Sequence, residues 1–203
     1  MSSSVRSNRD AILLTGAIWG PGLFIIGWLI GGFLYPGATL ANTHISSLAA
    51  VNAPSRLVMT IGQVAMAAGI AASAFPLRSI LGLGAAYGLG LAAISLAAII
   101  ATPDGSVPDQ GFVHGGFAVL FYAALISVGG LAARHLRSGG FKVAGILAIV
   151  VALATAVFLW SSLGETASGL YQRLGITTTS VWLMAVALRR GPVPNRRSTT
   201  DLD

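Results

Sequence analysis

The chain contains no cysteine, which rules out a disulfide framework, a thiolate metal site and a cysteine nucleophile, although this absence identifies no compartment. Charge is almost as scarce. Asp, Glu, Lys and Arg make up 9% of 203 residues, against roughly 25% in soluble domains, while hydrophobic residues reach 55%. Water is therefore not the solvent of most of this surface. Acid is the rarest charge, with 6 Asp and Glu against 12 Lys and Arg, a net +6. That excess does not point to nucleic acid, because the cations sit between and beyond apolar runs and form no cluster on a soluble face. There is also no HExxH, Walker loop, GxSxG or Cys/His cluster, so no local spacing assigns a reaction.

What the chain does have is long apolar runs. A helix rises 1.5 Å per residue, so about 20 residues cross a hydrocarbon core of about 30 Å. Six runs approach that length: Ala11 to Tyr35, Leu57 to Phe75, Leu81 to Ala101, His114 to Ala133, Val143 to Leu163 and Tyr171 to Leu188. The expected fold class is all-α, an integral membrane bundle of six transmembrane helices with short loops. Residues 1–10 form an N-terminal tail, 11–188 the membrane domain and 189–203 a basic C-terminal tail. The second and sixth runs are the least apolar, carrying Gln63 and the cluster Thr177, Thr178, Thr179, Ser180. The first run follows Arg6 and Arg9 but is too long for a signal-peptide core, and reads as an uncleaved span. Pro36, Pro54, Pro76, Pro103 and Pro108 mark expected helix ends or turns.

Six crossings place Arg6, Arg9, Arg78, Arg134, Arg137, Lys142, Arg189, Arg190, Arg196 and Arg197 on one side, and leave only Arg56 and Arg173 on the other. By the positive-inside rule the first side is cytoplasmic. The expected localisation is the plasma membrane, multi-pass, with both termini in the cytoplasm. Gly16 and Gly20, Gly27 and Gly31, and Gly84 and Gly88 are each four apart, the spacing that lines one helix face and lets backbones approach. Packing within the chain is the first use of such faces; a protein partner or a homo-oligomer is the other. Trp160, Tyr35 and Tyr171 fall near outer ends, where interfacial aromatics anchor.

The polar residues that topology does not explain gather on the outer side. The first loop carries Asn42, Thr43, His44, Ser46 and Ser47, the second Asp104, Asp109 and His114, and the third Glu165, Gln172 and Arg173. If the first loop is an interfacial helix, Asn42 and Ser46 share a face and His44 points away. His114, at the expected first turn of the fourth span, sits where the helix dipole favours a neutral imidazole able to act as base or metal ligand. Ser46, Asp104 and His114 are the catalytic candidates, His114 and Asp104 the metal candidates for an ion such as zinc, and Asn42, Arg173 and Glu165 the ligand-binding ones. The bland alternative is that Asp104 makes a turn before Gly105, Ser46 caps backbone and His114 bonds a loop carbonyl. Arg173 could bind a lipid phosphate or an internal carboxylate such as Glu165, and snorkelling to the interface explains it at least as well.

At these residues the sequence resembles a known family. Asn42-x-x-x-Ser46-x-Leu48 after the first span, Pro103-Asp104 after the third, Gly111-x-x-His114 opening the fourth, and Gly169-Leu170-Tyr171-Gln172-Arg173 followed by Trp182 in the sixth resemble the prokaryotic six-span family catalogued as domain of unknown function 998. The resemblance implies a six-helix fold with a polar cluster at the outer face, and no established reaction. Ser47 stands where the family pattern leads one to expect an acid, and His44 matches nothing in it.

Three functions remain open at this stage. The first is a lipid-, ligand- or partner-binding membrane protein using the outer cluster. The second is a membrane hydrolase or transferase acting on a lipid or lipid-linked substrate, metal-dependent if His114 and Asp104 find a further ligand. The third, transport, is the weakest, because no run carries an ionisable residue near its centre.

Overall fold

The computed structural model describes residues 3–105, 110–164 and 166–189. Asp109, Glu165 and the basic tail beyond Arg189 lie outside them. The helices are α1 (Ser3–Leu14), α2 (Gly16–Leu34), α3 (Ile45–Leu48), α4 (Arg56–Leu81), α5 (Leu83–Ala101), α6 (Gln110–Ser138), α7 (Lys142–Ser162) and α8 (Ser168–Leu188), with no strand among the described residues. Five helices are long and apolar enough to cross a membrane: Asn8–Leu34, Arg56–Leu81, Leu83–Ala101, Gly111–Ser138 and Lys142–Ser162. The protein is an all-α membrane bundle. The remaining long helix, α8, has the same 21 residues as α7 but a lower hydropathy, because its polar residues face inward. Thr179 Oγ1 meets Thr155 Oγ1 of α7 at 2.7 Å, both buried, and Ser180 is buried beside them.

Each long helix packs on the next, and α8 returns to α2, so α2, α4, α5, α6, α7 and α8 close a ring. Tight connections and small residues enforce it. The α4–α5 junction is the single residue Gly82 at φ +88°, and a methyl group there would strike the His135 ring at 2.8 Å. Along α2 and α4 the backbones nearly touch. A methyl group on Gly16 would fall 2.5 Å from the Gly69 carbonyl oxygen, and one on Gly20 2.9 Å from Gly69 Cα. At Gly27 a methyl group would meet Gly62 Cα at an ordinary 3.4 Å, and at Gly31 it would crowd the flexible Met59 side chain at 3.2 Å (Cγ). Gly16, Gly20, Gly27 and Gly31 thus serve packing within the chain. Gly22, Gly32, Gly90 and Gly130 are among the helical glycines with open space around them. Outward-facing Phe33, Ile94, Val143 and Trp160 form part of the apolar surface offered to lipid.

Two expectations about helix limits need correction. Pro76 does not end a helix; it lies inside α4, which runs on to Leu81. Pro76 removes one N–H from the ladder and frees the carbonyl of Ala72, a loss that a membrane helix packed among neighbours tolerates. The first span, in turn, is interrupted at Thr15, whose hydroxyl donates to Ile12 O at 2.7 Å.

Candidate functional site

We call the end of the ring formed by residues 35–55, 102–105, 110–114, 163–164 and 166–173 the outer end, and the opposite end the basic end. The first outer loop is not an interfacial helix. Residues 36–44 are irregular, and only the single turn α3 is helical. The cause is packing: Ile45 and Leu48 are driven into the ring, Leu48 to 0% exposure, which one turn achieves and a helix lying along the membrane surface would not. Asn42 and Ser46 therefore share no face.

Instead, the loop is clasped by the first turns of α8. Leu170 N–H donates to Ala41 O at 2.9 Å, and Ala167 N–H to Asn42 Oδ1 at 3.3 Å. His44 Nε2 meets Ser168 Oγ at 2.7 Å, and Ile45 N–H donates to Gln172 Oε1 at 2.6 Å. Gly169 allows this approach, because a methyl group there would collide with the Thr43 carbonyl. At the centre is Arg173, only 3% exposed, whose Nη1 donates to the carbonyls of Leu40 (3.0 Å), Thr43 (2.7 Å) and Gly169 (2.9 Å). Its guanidinium carbon lies 5.4 Å from the Trp28 ring centre, and its Nε is buried without a hydrogen-bond partner among the described residues. Arg173 does not snorkel, and among the described residues no carboxylate pairs with it. Glu165, the acid considered for that pairing, lies outside the described residues.

A second group lies beneath the loop. Ser46, Gln63, His114, Tyr122 and Gln172 border a cavity of about 40 Å³ otherwise walled by apolar residues such as Phe24, Leu96 and Ile176. His114 is buried in the second turn of α6, one turn deeper than expected, and its Nδ1 lies 2.7 Å from the Thr102 carbonyl oxygen. A carbonyl only accepts, so Nδ1 carries a proton here. The hydroxyl of Tyr122 donates to Gln172 O at 2.9 Å, linking this cavity to the clasp. Among the described residues nothing hydrogen-bonds the Gln63 amide, so it is not the interhelical link its depth suggests; it lines the cavity. A void of about 10–15 Å³ of this kind holds one water. The cavity therefore has room for water bridging Ser46, Gln63 and His114.

Ser46 and His114 thus border one cavity, Asn42 and Arg173 belong to the clasp, and Asp104 stands apart from both. Asp104 is half-buried, and its backbone carbonyl accepts from Val51 N–H at 3.1 Å, pinning the second outer loop to the first. No group of three or more His, Asp or Glu able to hold a metal exists among the described residues, so an ion at His114 and Asp104 would need ligands of other kinds. Sequence reasoning missed the parts played by His44, Ser168 and Gly169. It found Gln172 without a partner for it.

On the clasp's other side is a crevice of about 180 Å³ between the outer end of α2 (Leu29, Gly32, Phe33) and the loop (Ala38, Thr39, Leu40), with Arg173 at its floor. These features define a multi-pass α-helical membrane protein with its buried polar groups concentrated toward one end of the bundle. Residues 18–189 match the model of the family described as "Protein of unknown function (DUF998)", and the chain belongs to that family. The match takes in the clasp, the cavity and the crevice alike. No curated protein and no solved structure matches the chain.

Proposed function

We propose that the protein binds a lipid of the outer leaflet, seating an anionic headgroup group such as a phosphate over Arg173 and laying an acyl chain along Leu29 and Phe33. The observation that carries this reading is a buried guanidinium, unpaired with any carboxylate among the described residues, at the floor of a crevice with apolar walls. A charge withdrawn from water is costly unless it is compensated. Carbonyl dipoles supply part of that compensation here, and a phosphate reaching in from the headgroup layer supplies the rest. Phe33, 89% exposed, offers the chain a surface next to the crevice.

Gly32 gives a clean test, because it borders the crevice and a methyl group placed on it meets nothing within 4 Å. Gly32→Leu is expected to fill the crevice while leaving the fold alone. Native mass spectrometry after delipidation and return to phosphatidylglycerol nanodiscs should then find at least about tenfold less retained phospholipid, with unchanged melting in detergent. Equal retention by the two proteins would rule this reading out.

The enzymatic alternative draws on Ser46 and His114 bordering one cavity. Against it stands size, since about 40 Å³ is far below the roughly 300–1,000 Å³ of small-molecule sites. We place the protein in the plasma membrane with its basic end in the cytoplasm, on the strength of the cation distribution. In this cysteine-free chain, single cysteines at Ser3 and Thr199 should resist an impermeant thiol reagent in intact cells, and those at Ser106 and Thr166 should react. Labelling at Thr199 would overturn either the orientation or the number of crossings.

A further inference from the structure

The basic end holds a larger cavity of about 560 Å³, bounded by the last turns of α4, α6 and α8 and the first turns of α7. That volume falls within the roughly 300–1,000 Å³ of sites that enclose small ligands. Its walls are mostly apolar, with Leu81, Leu136 and Leu147 among them, while His135 and Arg189 bring polar atoms. Leu147 of α7 and Arg189, which follows α8, are both lining residues and exposed, so the cavity opens sideways between these helices, toward lipid. Trp182 also borders it, seven residues before Arg189, which at 1.5 Å per residue puts the indole about 10 Å deeper. Arg189 is the cation that lines the cavity, and the whole of this end of the bundle is electrically one-sided. Among the described residues with placed side chains, Arg9, Arg78, Arg134, Arg137, Lys142 and Arg189 lie at this end, against the single acid Asp10.

We propose that this cavity is a binding site for an anionic phospholipid of the leaflet facing the basic end, its phosphate at Arg189 and one acyl chain running inward to Trp182. A lateral opening selects a ligand that arrives through the bilayer, apolar walls select a hydrocarbon chain, and Arg189, set in the cation excess of this end, selects a negative headgroup. A zwitterionic lipid satisfies the first two conditions and not the third. The site is independent of the outer crevice, being at the other end of the bundle from Arg173.

The test uses the full chain in vesicles of phosphatidylcholine containing graded amounts of a phospholipid brominated in mid-chain, either phosphatidylglycerol or phosphatidylcholine. The signal of Trp182 is the difference between the wild type and Trp182→Phe, which separates it from Trp19, Trp28 and Trp160. Brominated phosphatidylglycerol is expected to half-quench Trp182 at a mole fraction about fivefold lower than brominated phosphatidylcholine, the preference one arginine near the surface confers. Arg189→Gln should bring the two curves together. Ala185→Leu, which grows into the cavity from α8, should weaken quenching by both lipids. Coincident curves in the wild type, or a preference that survives Arg189→Gln, would overturn the proposal, whatever the outcome for Gly32→Leu at the outer end.

Discussion

Leucine at Gly69 is expected to be the most damaging of the leucine substitutions along the α2–α4 seam, lowering stability in detergent by about 3 kcal/mol, the upper part of the range for overpacking. The position touches two glycines of α2 at once: a methyl group would collide with the Gly16 carbonyl and lie 2.7 Å from Gly20 Cα. Because those neighbours are backbone, no rotamer change relieves the clash, and the helices must separate. The cost should fall in the order of the available space. Gly20→Leu follows Gly69→Leu, Gly27→Leu comes next, and Gly22→Leu, with nothing within 4 Å, should melt like the wild type. Thermal unfolding of the four purified variants measures this ranking. A Gly69→Leu protein that melts with Gly22→Leu would mean that α2 and α4 do not meet along this seam.

Arg173→Leu is expected to release the first outer loop from α8. Hydrogen bonds from a charged donor are worth about 1.5–3 kcal/mol each, and three carbonyls share this one. Their losses are not additive, so on the order of 3 kcal/mol is expected in all. The effect should be local as well as global. Amide exchange should rise across residues 38–48 and at the start of α8, while the α2–α4 seam stays protected until the whole bundle melts. Arg173→Lys should recover part of the loss, since an ammonium keeps the charge and can reach one or two of the carbonyls but lacks the planar fork. Unchanged exchange in residues 38–48 of Arg173→Leu would show that the loop is held without Arg173, by its other bonds to α8 and the packing of Ile45 and Leu48.

How much of this was legible in the sequence depends on what kind of signal each feature leaves. Apolar runs of membrane length announce five of the spans outright, and small residues four apart announce the close face of α2. The partner glycines of α4, Gly62 and Gly69, are seven apart, matching the seven between Gly20 and Gly27, a pairing visible only once the two helices are known to be neighbours. Pro76 misled because in lipid a helix has no water to fray into, so proline is tolerated where a soluble helix would end. The clasp left the weakest trace. Its acceptors are the backbone carbonyls of Leu40, Ala41 and Thr43, and a carbonyl has no residue type to read. His44 was set aside on helical geometry, and the irregular backbone of 36–44 removed that objection by letting its ring turn to Ser168.

The closed ring has a consequence for synthesis. Its seam joins α2 and the loop after it to α8, so the contacts that seal it lie about as far apart along the chain as any in the bundle. A ribosome delivers α8 last. By then the Leu40 and Thr43 carbonyls have long awaited a donor, and α8 itself, with Arg173 and its threonines, enters hydrocarbon on its own less readily than its predecessors. Closure of the ring at this end therefore waits on α8, whose Arg173 and Thr179 meet the loop carbonyls and the buried Thr155 hydroxyl of helices that precede it in the chain.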